Sequence, residues 1–173
     1  VSGSCASTTE DQIATAEAHG FQILNFDVST VTAPKRLAVE LERVRNESIK
    51  RLSKNYDVLV TTARGPDDPM TKRMEEAINK TGMKPSAANQ RLGEALGQLV
   101  SDIRRTTHMQ RIAIAGGDTS GHVLSSLGAQ ALTAVAPLAP GAPLCRLPTN
   151  SDAALDGLEV TLKGGQMGEP DFF

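Results

Sequence analysis

The chain has 173 residues, a formal charge of −2 and 39% apolar residues, which suits one domain with a real core. Near-balanced charge argues against nucleic acid as the main partner, because binding a phosphate backbone needs a basic face. No apolar run approaches the roughly 20 residues that cross a bilayer, so no membrane partner is expected.

Val1-Ser2-Gly3-Ser4 reads as the end of a strand running into a loop. With no initiator Met before it, the chain is expected to be a piece of a longer protein. Ser7 to His19 carries helix signals, a Ser7-x-x-Glu10 capping box and Gly20 as a stop. Phe21 to Phe26 reads as a strand, and Pro34 stands where a first helical turn would begin. Leu37, Leu41, Val44 and Leu52 follow at helical spacing, and Val58-Leu59-Val60 suits a buried strand. Gly65 to Pro69 is a loop, and Thr71 to Lys80 is short enough for one further helix. Leu92, Leu96, Leu99, Val100 and Ile103 make the clearest helical stripe. Arg111 to Ala115 is a strand stopped by Gly116-Gly117, and Val123, Leu124 and Leu127 mark another helix. Beyond Gly128, Leu132 to Leu138, Leu144 to Leu147 and Leu158 to Leu162 read as strands separated by Pro, Gly and Asp turns. The expected fold is therefore α/β, a mostly parallel sheet with helices on both faces and an antiparallel extension at the C-terminal end.

Ligands in open α/β sheets gather at the ends of strands, and glycine-rich segments stand at such ends here. They are Val1 to Ser7, Ala115 to Gly121, and Lys163 to Gly168. The middle segment is the most phosphate-like. Its glycines let backbone approach a ligand, and a helix starting near Thr119 would aim unpaired amides and a positive dipole end at the same point. Thr119 and Ser120 add hydroxyls. Asp118 fits beside phosphates if Mg²⁺ lies between them, or if it takes a proton from an attacking hydroxyl; the alternative is a helix N-cap. Lys163 would either reach a phosphate or end in solvent.

Familiar phosphate and metal motifs fail. After Gly121 come His122 and Val123 in place of the Lys and Ser/Thr of a Walker A loop, and no G-x-G-x-x-G follows an early strand. His122 reads as a surface or capping group, and Arg64, Asp67 and Asp68 as a solvated turn or the border of a base or ribose. Cys5 and Cys145 lie far apart in a chain with no opening signal segment, so both are expected free, in a cytoplasmic protein.

Four stretches carry a resemblance when taken in order: S-G-S-C at Ser2 to Cys5, A-G-G-D-T-S-G at Ala115 to Gly121, P-G-A-P at Pro140 to Pro143, and L-K-G-G-Q-M-G at Leu162 to Gly168. The chain resembles the nucleotide-binding C-terminal domain of the four-carbon acid sugar kinase family from its first residue almost to its last. That resemblance implies a two-domain kinase. Residues 1–173 would form its nucleotide-binding domain, and an absent N-terminal domain would hold threonate, erythronate or a 3-oxo relative. It implies ATP contacts at Ser2 and Ser4, at Gly116, Gly117, Asp118, Thr119, Ser120 and Gly121, and at Gly164 and Gly165. Gly141 would line the same cleft in its Pro-Gly-Ala-Pro turn. Two departures stand out: Ala6 follows Cys5 where the family more often has Ser, and Met167 replaces a commoner aromatic.

The expected chemistry is in-line transfer of the γ-phosphoryl group from MgATP to a hydroxyl of the sugar acid. Lys163 would assist at the phosphates, and Asp118 would act as the Mg²⁺-directed or basic group. The isolated domain would bind ATP or ADP while being nearly inactive. A homo-oligomer is compatible with this reading. Two rivals share the architecture: a nicotinamide-dependent oxidoreductase domain, and a non-catalytic module sensing a phosphorylated metabolite.

Overall fold

A computed structural model describes residues 1–148 and 152–173. The expected turn between the last two strands falls partly outside the described residues. In chain order the elements are α1 (Ser7–Ala18), β1 (Gln22–Asn25), a 3-10 turn (Val28–Thr32), α2 (Pro34–Leu52), β2 (Val58–Thr61), α3 (Pro69–Thr81) and α4 (Pro85–Thr107). Then come β3 (Arg111–Ala115), α5 (Gly117–Ser126), β4 (Thr133–Ala139), β5 (Ala142–Leu147) and β6 (Leu158–Lys163).

The strands form a parallel pair, β1-β2, and a mixed set ordered β3-β6-β5-β4. Ser2 bridges both, in parallel register with Thr61 of β2 and Ala115 of β3. Backbone bonds from Ser2 N to Val60 O (2.8 Å) and from Gly3 N to Ala115 O (2.9 Å) make the first residues a short strand between the sets. β6 runs parallel to β3, whereas β5 is antiparallel to both β6 and β4. The antiparallel extension is thus confined to the expected end. Pro137 is accommodated because β4 lies at the sheet edge, where a missing N–H leaves no ladder bond broken.

Two apolar clusters sandwich the sheet. The larger joins Val44 of α2 and Leu96, Leu99 and Val100 of α4 to Ile114 and Val160. The smaller holds Ile13 and Ala16 of α1 against Leu59, with Phe21, Ile23 and Phe173 at its margin. Helices therefore cover both faces, unequally. The crowded face explains the spacing of α4, whose apolar residues recur at helical period against the sheet.

Helix starts differ from expectation in one instructive way. Pro34 does open α2, and Asp68 caps α3 by accepting from Met70 N. The Ser7–Glu10 capping box does not form, because Ala6 holds the cap position of α1. Ser4 Oγ instead accepts from Ala6 N at 3.2 Å, so the loop preceding the helix supplies its end group. The middle helix likewise starts earlier than Thr119: Gly116 is its cap, and Asp118 lies in its first turn rather than at the N-cap.

Candidate functional site

The strand order brings the three glycine segments to one end of the sheet. Residues 1–3, β3 and β6 are neighbours and run the same way, so the loops following them emerge side by side. Gly116 joins two of them directly, donating its N–H to Lys163 O at 3.0 Å. Its φ of +113° suits glycine alone, and a Cβ there would stand 3.2 Å from Gly3 C and 3.3 Å from Ser4 N. The loops also press close elsewhere: a Cβ on Gly3 would overlap the Thr119 side chain, and one on Gly165 would overlap Ser4 Oγ. The fourth stretch joins them, since Gly141, with φ of +73°, packs its bare Cα against Met167.

Exposed backbone is the dominant resource of this surface. Nothing lies within 4 Å of the position a Cβ would take on Gly117 or Gly121. Two helices, α1 and α5, begin at the adjoining loops, and each leaves first-turn N–H groups without intrahelical acceptors. Aligned peptide dipoles add positive potential there. Asp118 and Thr119 border a cleft of about 220 Å³ that continues past Gly3 and Cys5 to Thr62, Thr71 and Asn89. The Asp118 side chain is exposed.

Side chains divide less evenly than the sequence suggests. Ser2 is fully buried within the sheet and Ser4 is nearly so. The Ser120 hydroxyl donates to Gly116 O at 2.7 Å, so its proton serves its own helix rather than the cleft. Lys163 neither reaches outward nor ends in solvent: it is 2% exposed, with Nζ 3.1 Å from Thr9 Oγ1. Burial also pushes its ammonium below the usual lysine range. Arg64 pairs with Glu17 at 2.9 Å and Asp68 accepts from Arg64 N, so this turn is held by its own contacts. His122 packs on Gly93 of α4. Cys5 and Cys145 are free thiols, and Cys5 is exposed at the cleft.

Two residues of α1 escaped the sequence reading. Thr9 Oγ1 lies 2.8 Å from Gly165 O and 3.0 Å from Ser4 Oγ. Gln12 Nε2 lies within 3.0 Å of the carbonyls of Met167, Gly168 and Glu169. Both side chains are fully buried. A signal existed: Thr9 and Gln12 are three apart and share a face with Ile13 and Ala16, so polar groups sit on a core-facing stripe.

The whole chain, residues 1–173, matches the family described as nucleotide-binding C-terminal domain. The chain belongs to that family. It is 38% identical over its full length to the 3-oxo-isoapionate kinase of Paraburkholderia graminis and 28% identical to a 3-oxo-tetronate kinase of Methylobacterium radiotolerans, covering 37% of each. It thus spans little more than a third of these curated relatives. The resemblance to the four-carbon acid sugar kinases therefore holds along the entire nucleotide-binding C-terminal domain. Among solved structures, a Haemophilus influenzae protein superposes with a TM-score of 0.77 at 21% identity, over 99% of this chain and 37% of that one. A Bordetella bronchiseptica domain of unknown function, solved as a domain-swapped dimer with bound citrate, gives a TM-score of 0.69 at 21% identity, with the same coverage of both chains. At that identity the likeness concerns the fold of the nucleotide-binding C-terminal domain alone. Among the described residues no helix is long and apolar enough to cross a membrane.

Proposed function

We propose that this nucleotide-binding C-terminal domain holds ATP for a kinase that phosphorylates a four-carbon sugar acid of the threonate, erythronate or 3-oxo-tetronate kind. The observation that carries the reading is the convergence of Gly3, Gly116 and Gly165, where added Cβ atoms would meet a neighbouring loop, around the open backbone of Gly117 and Gly121. Beside that convergence, the first-turn N–H groups of α5 from Gly117 to Thr119 and the helix dipole are offered to anionic oxygens. Family membership and the kinase names of the relatives support the same assignment.

In this reading Ser4 and the first turns of α1 and α5 cradle the phosphates, with Gly164 and Gly165 closing one side. Gly141 and Met167 border the nucleoside. Thr119 offers the hydroxyl of the second loop. Asp118, exposed at the cleft, is the group to direct Mg²⁺ or to take the proton of the attacking hydroxyl. Mg²⁺ would offset charge on the transferring phosphoryl group. The sugar acid would be held by a further domain, in a cytoplasmic enzyme, and the isolated chain would bind nucleotide while transferring little.

Isothermal titration of the folded 173-residue chain with ATP or ADP, in Mg²⁺, tests the reading. Saturable heat is expected with either nucleotide. An absence of heat with both, or tighter binding of NADH than of ATP, refutes it.

A further inference from the structure

Lys163 ends β6 inside the molecule. Its Nζ lies 3.1 Å from Thr9 Oγ1 and 3.4 Å from Gly164 O, with the ring centroids of Phe172 and Phe173 at 5.6 and 5.7 Å. Among the described residues no carboxylate forms an ion pair with it. A buried cation without an anionic partner is costly, and two oxygens and two aromatic faces offset only part of that cost. A core lysine that merely filled space would be better replaced by an apolar residue.

The hydrogen bonds lead from this cation to the glycine loops. Thr9 Oγ1 accepts from Lys163, and its single proton goes to Ser4 Oγ or to Gly165 O. Ser4 Oγ accepts from Ala6 N and lies 3.0 Å from Thr9 Oγ1, so the first loop is tied to the same hydroxyl that Lys163 holds. Thr9 thus touches the first and third loops at once, at the point where Gly165 and Ser4 are packed too closely for a Cβ.

We propose that Lys163 is a positioning residue for nucleotide phosphates, acting through Thr9 on the Ser4 hydroxyl and the Gly165 turn, with its charge answered by the bound anion. The inference rests on the nucleotide reading above. It differs from a purely structural role in what it discriminates. A lysine that only fastened two loops would, when lost, weaken every ligand alike. A lysine whose charge and relay serve phosphates matters for ATP and not for the nucleoside.

The test titrates ATP and adenosine onto the 173-residue chain in Mg²⁺, following binding by NMR. Lys163→Met is expected to weaken ATP by about tenfold or more, the scale of one unit charge across several ångströms of protein, and to leave adenosine within about twofold. Lys163→Arg keeps the charge and should keep ATP within about threefold. Thr9→Val leaves the cation in place, cuts the relay, and should also weaken ATP selectively. It decides the matter should Lys163→Met fail to fold. Equal losses for ATP and adenosine, or no loss for either, overturn the proposal while nucleotide binding by the wild-type chain stands. A wild-type chain that binds neither compound overturns both readings.

Discussion

In the isolated 173-residue chain the Val1 nitrogen is a free amino group that donates to Ala113 O at 2.7 Å; within a longer chain it would be an uncharged peptide N–H, so the pH effect belongs to the isolated chain alone. Loss of hydration disfavours its charged form, pushing its pKa from 8.0 down to about 5. In the unfolded chain the amine takes a proton below pH 8, whereas in the folded chain it stays neutral down to about pH 5. Acid therefore favours unfolding: this contribution to stability is complete above about pH 8 and is lost as pH falls towards 5. With 1.36 kcal/mol per pH unit, the loss between pH 8 and pH 5.5 comes to about 3 kcal/mol. For a domain of this size that corresponds to a fall in Tm of roughly 6–12 °C.

The control is N-terminal acetylation, which abolishes the charge and keeps an N–H for Ala113. A cavity of about 390 Å³ borders Val1 and is lined also by Leu59, Val60, Ile112 and Ala113. Thermal unfolding of both chains at pH 8 and 5.5 isolates the amine, because the two chains differ at that group alone. The free chain should lose about 3 kcal/mol more than the acetylated one. Equal losses would refute burial of the amine.

Three further outcomes follow from the loops. Gly116→Ala combines a strained φ with backbone contacts that cannot retreat, so it should cost about 2–5 kcal/mol by urea unfolding and abolish nucleotide binding. Gln12→Leu removes the donor shared by three carbonyls, and should cost about 2–3 kcal/mol while raising hydrogen exchange around Gly168. Asp118→Asn alters an exposed side chain, so stability should stay within about 0.5 kcal/mol. The Mg²⁺ enhancement of ATP affinity should fall instead; an unchanged enhancement would remove Asp118 from the metal role.

The helices and buried strands were legible, because Leu92 to Ile103 carry their burial in their spacing and Leu59 and Val60 stand in a contiguous apolar run. The glycine loops were legible as punctuation, and strand order then placed them together. What stayed hidden depends on contacts between segments distant in sequence. Ser7-x-x-Glu10 satisfies the capping pattern, yet Ser4 occupies the place the cap needs, through a loop geometry set by β2 and β3. Lys163 looks like a strand-end lysine until Thr9, Phe172 and Phe173 close over it. Ser120 offers a hydroxyl by composition, but a helix starting at Gly117 puts the Gly116 carbonyl in reach of it.

The cleft beside Asp118 sets a limit on what this domain can recognise. The side chains around it are those of Cys5, Val28, Thr62, Ala63, Thr71, Met74, Asn89, Leu92, Asp118 and Thr119, and none is cationic. Hydroxyl groups of a small polyhydroxy acid could pair with the threonines and Asn89, but its carboxylate would face Asp118 with no counter-charge. Binding of the acid to this chain should therefore be too weak to saturate at about 10 mM by NMR titration, even with nucleotide present. A neutral polyol of the same length should bind no more weakly than the acid. If the acid bound in the millimolar range or tighter, and more tightly than the polyol, a cation within this domain would have to serve it, and the proposal that a further domain holds the acid would lose its physical basis.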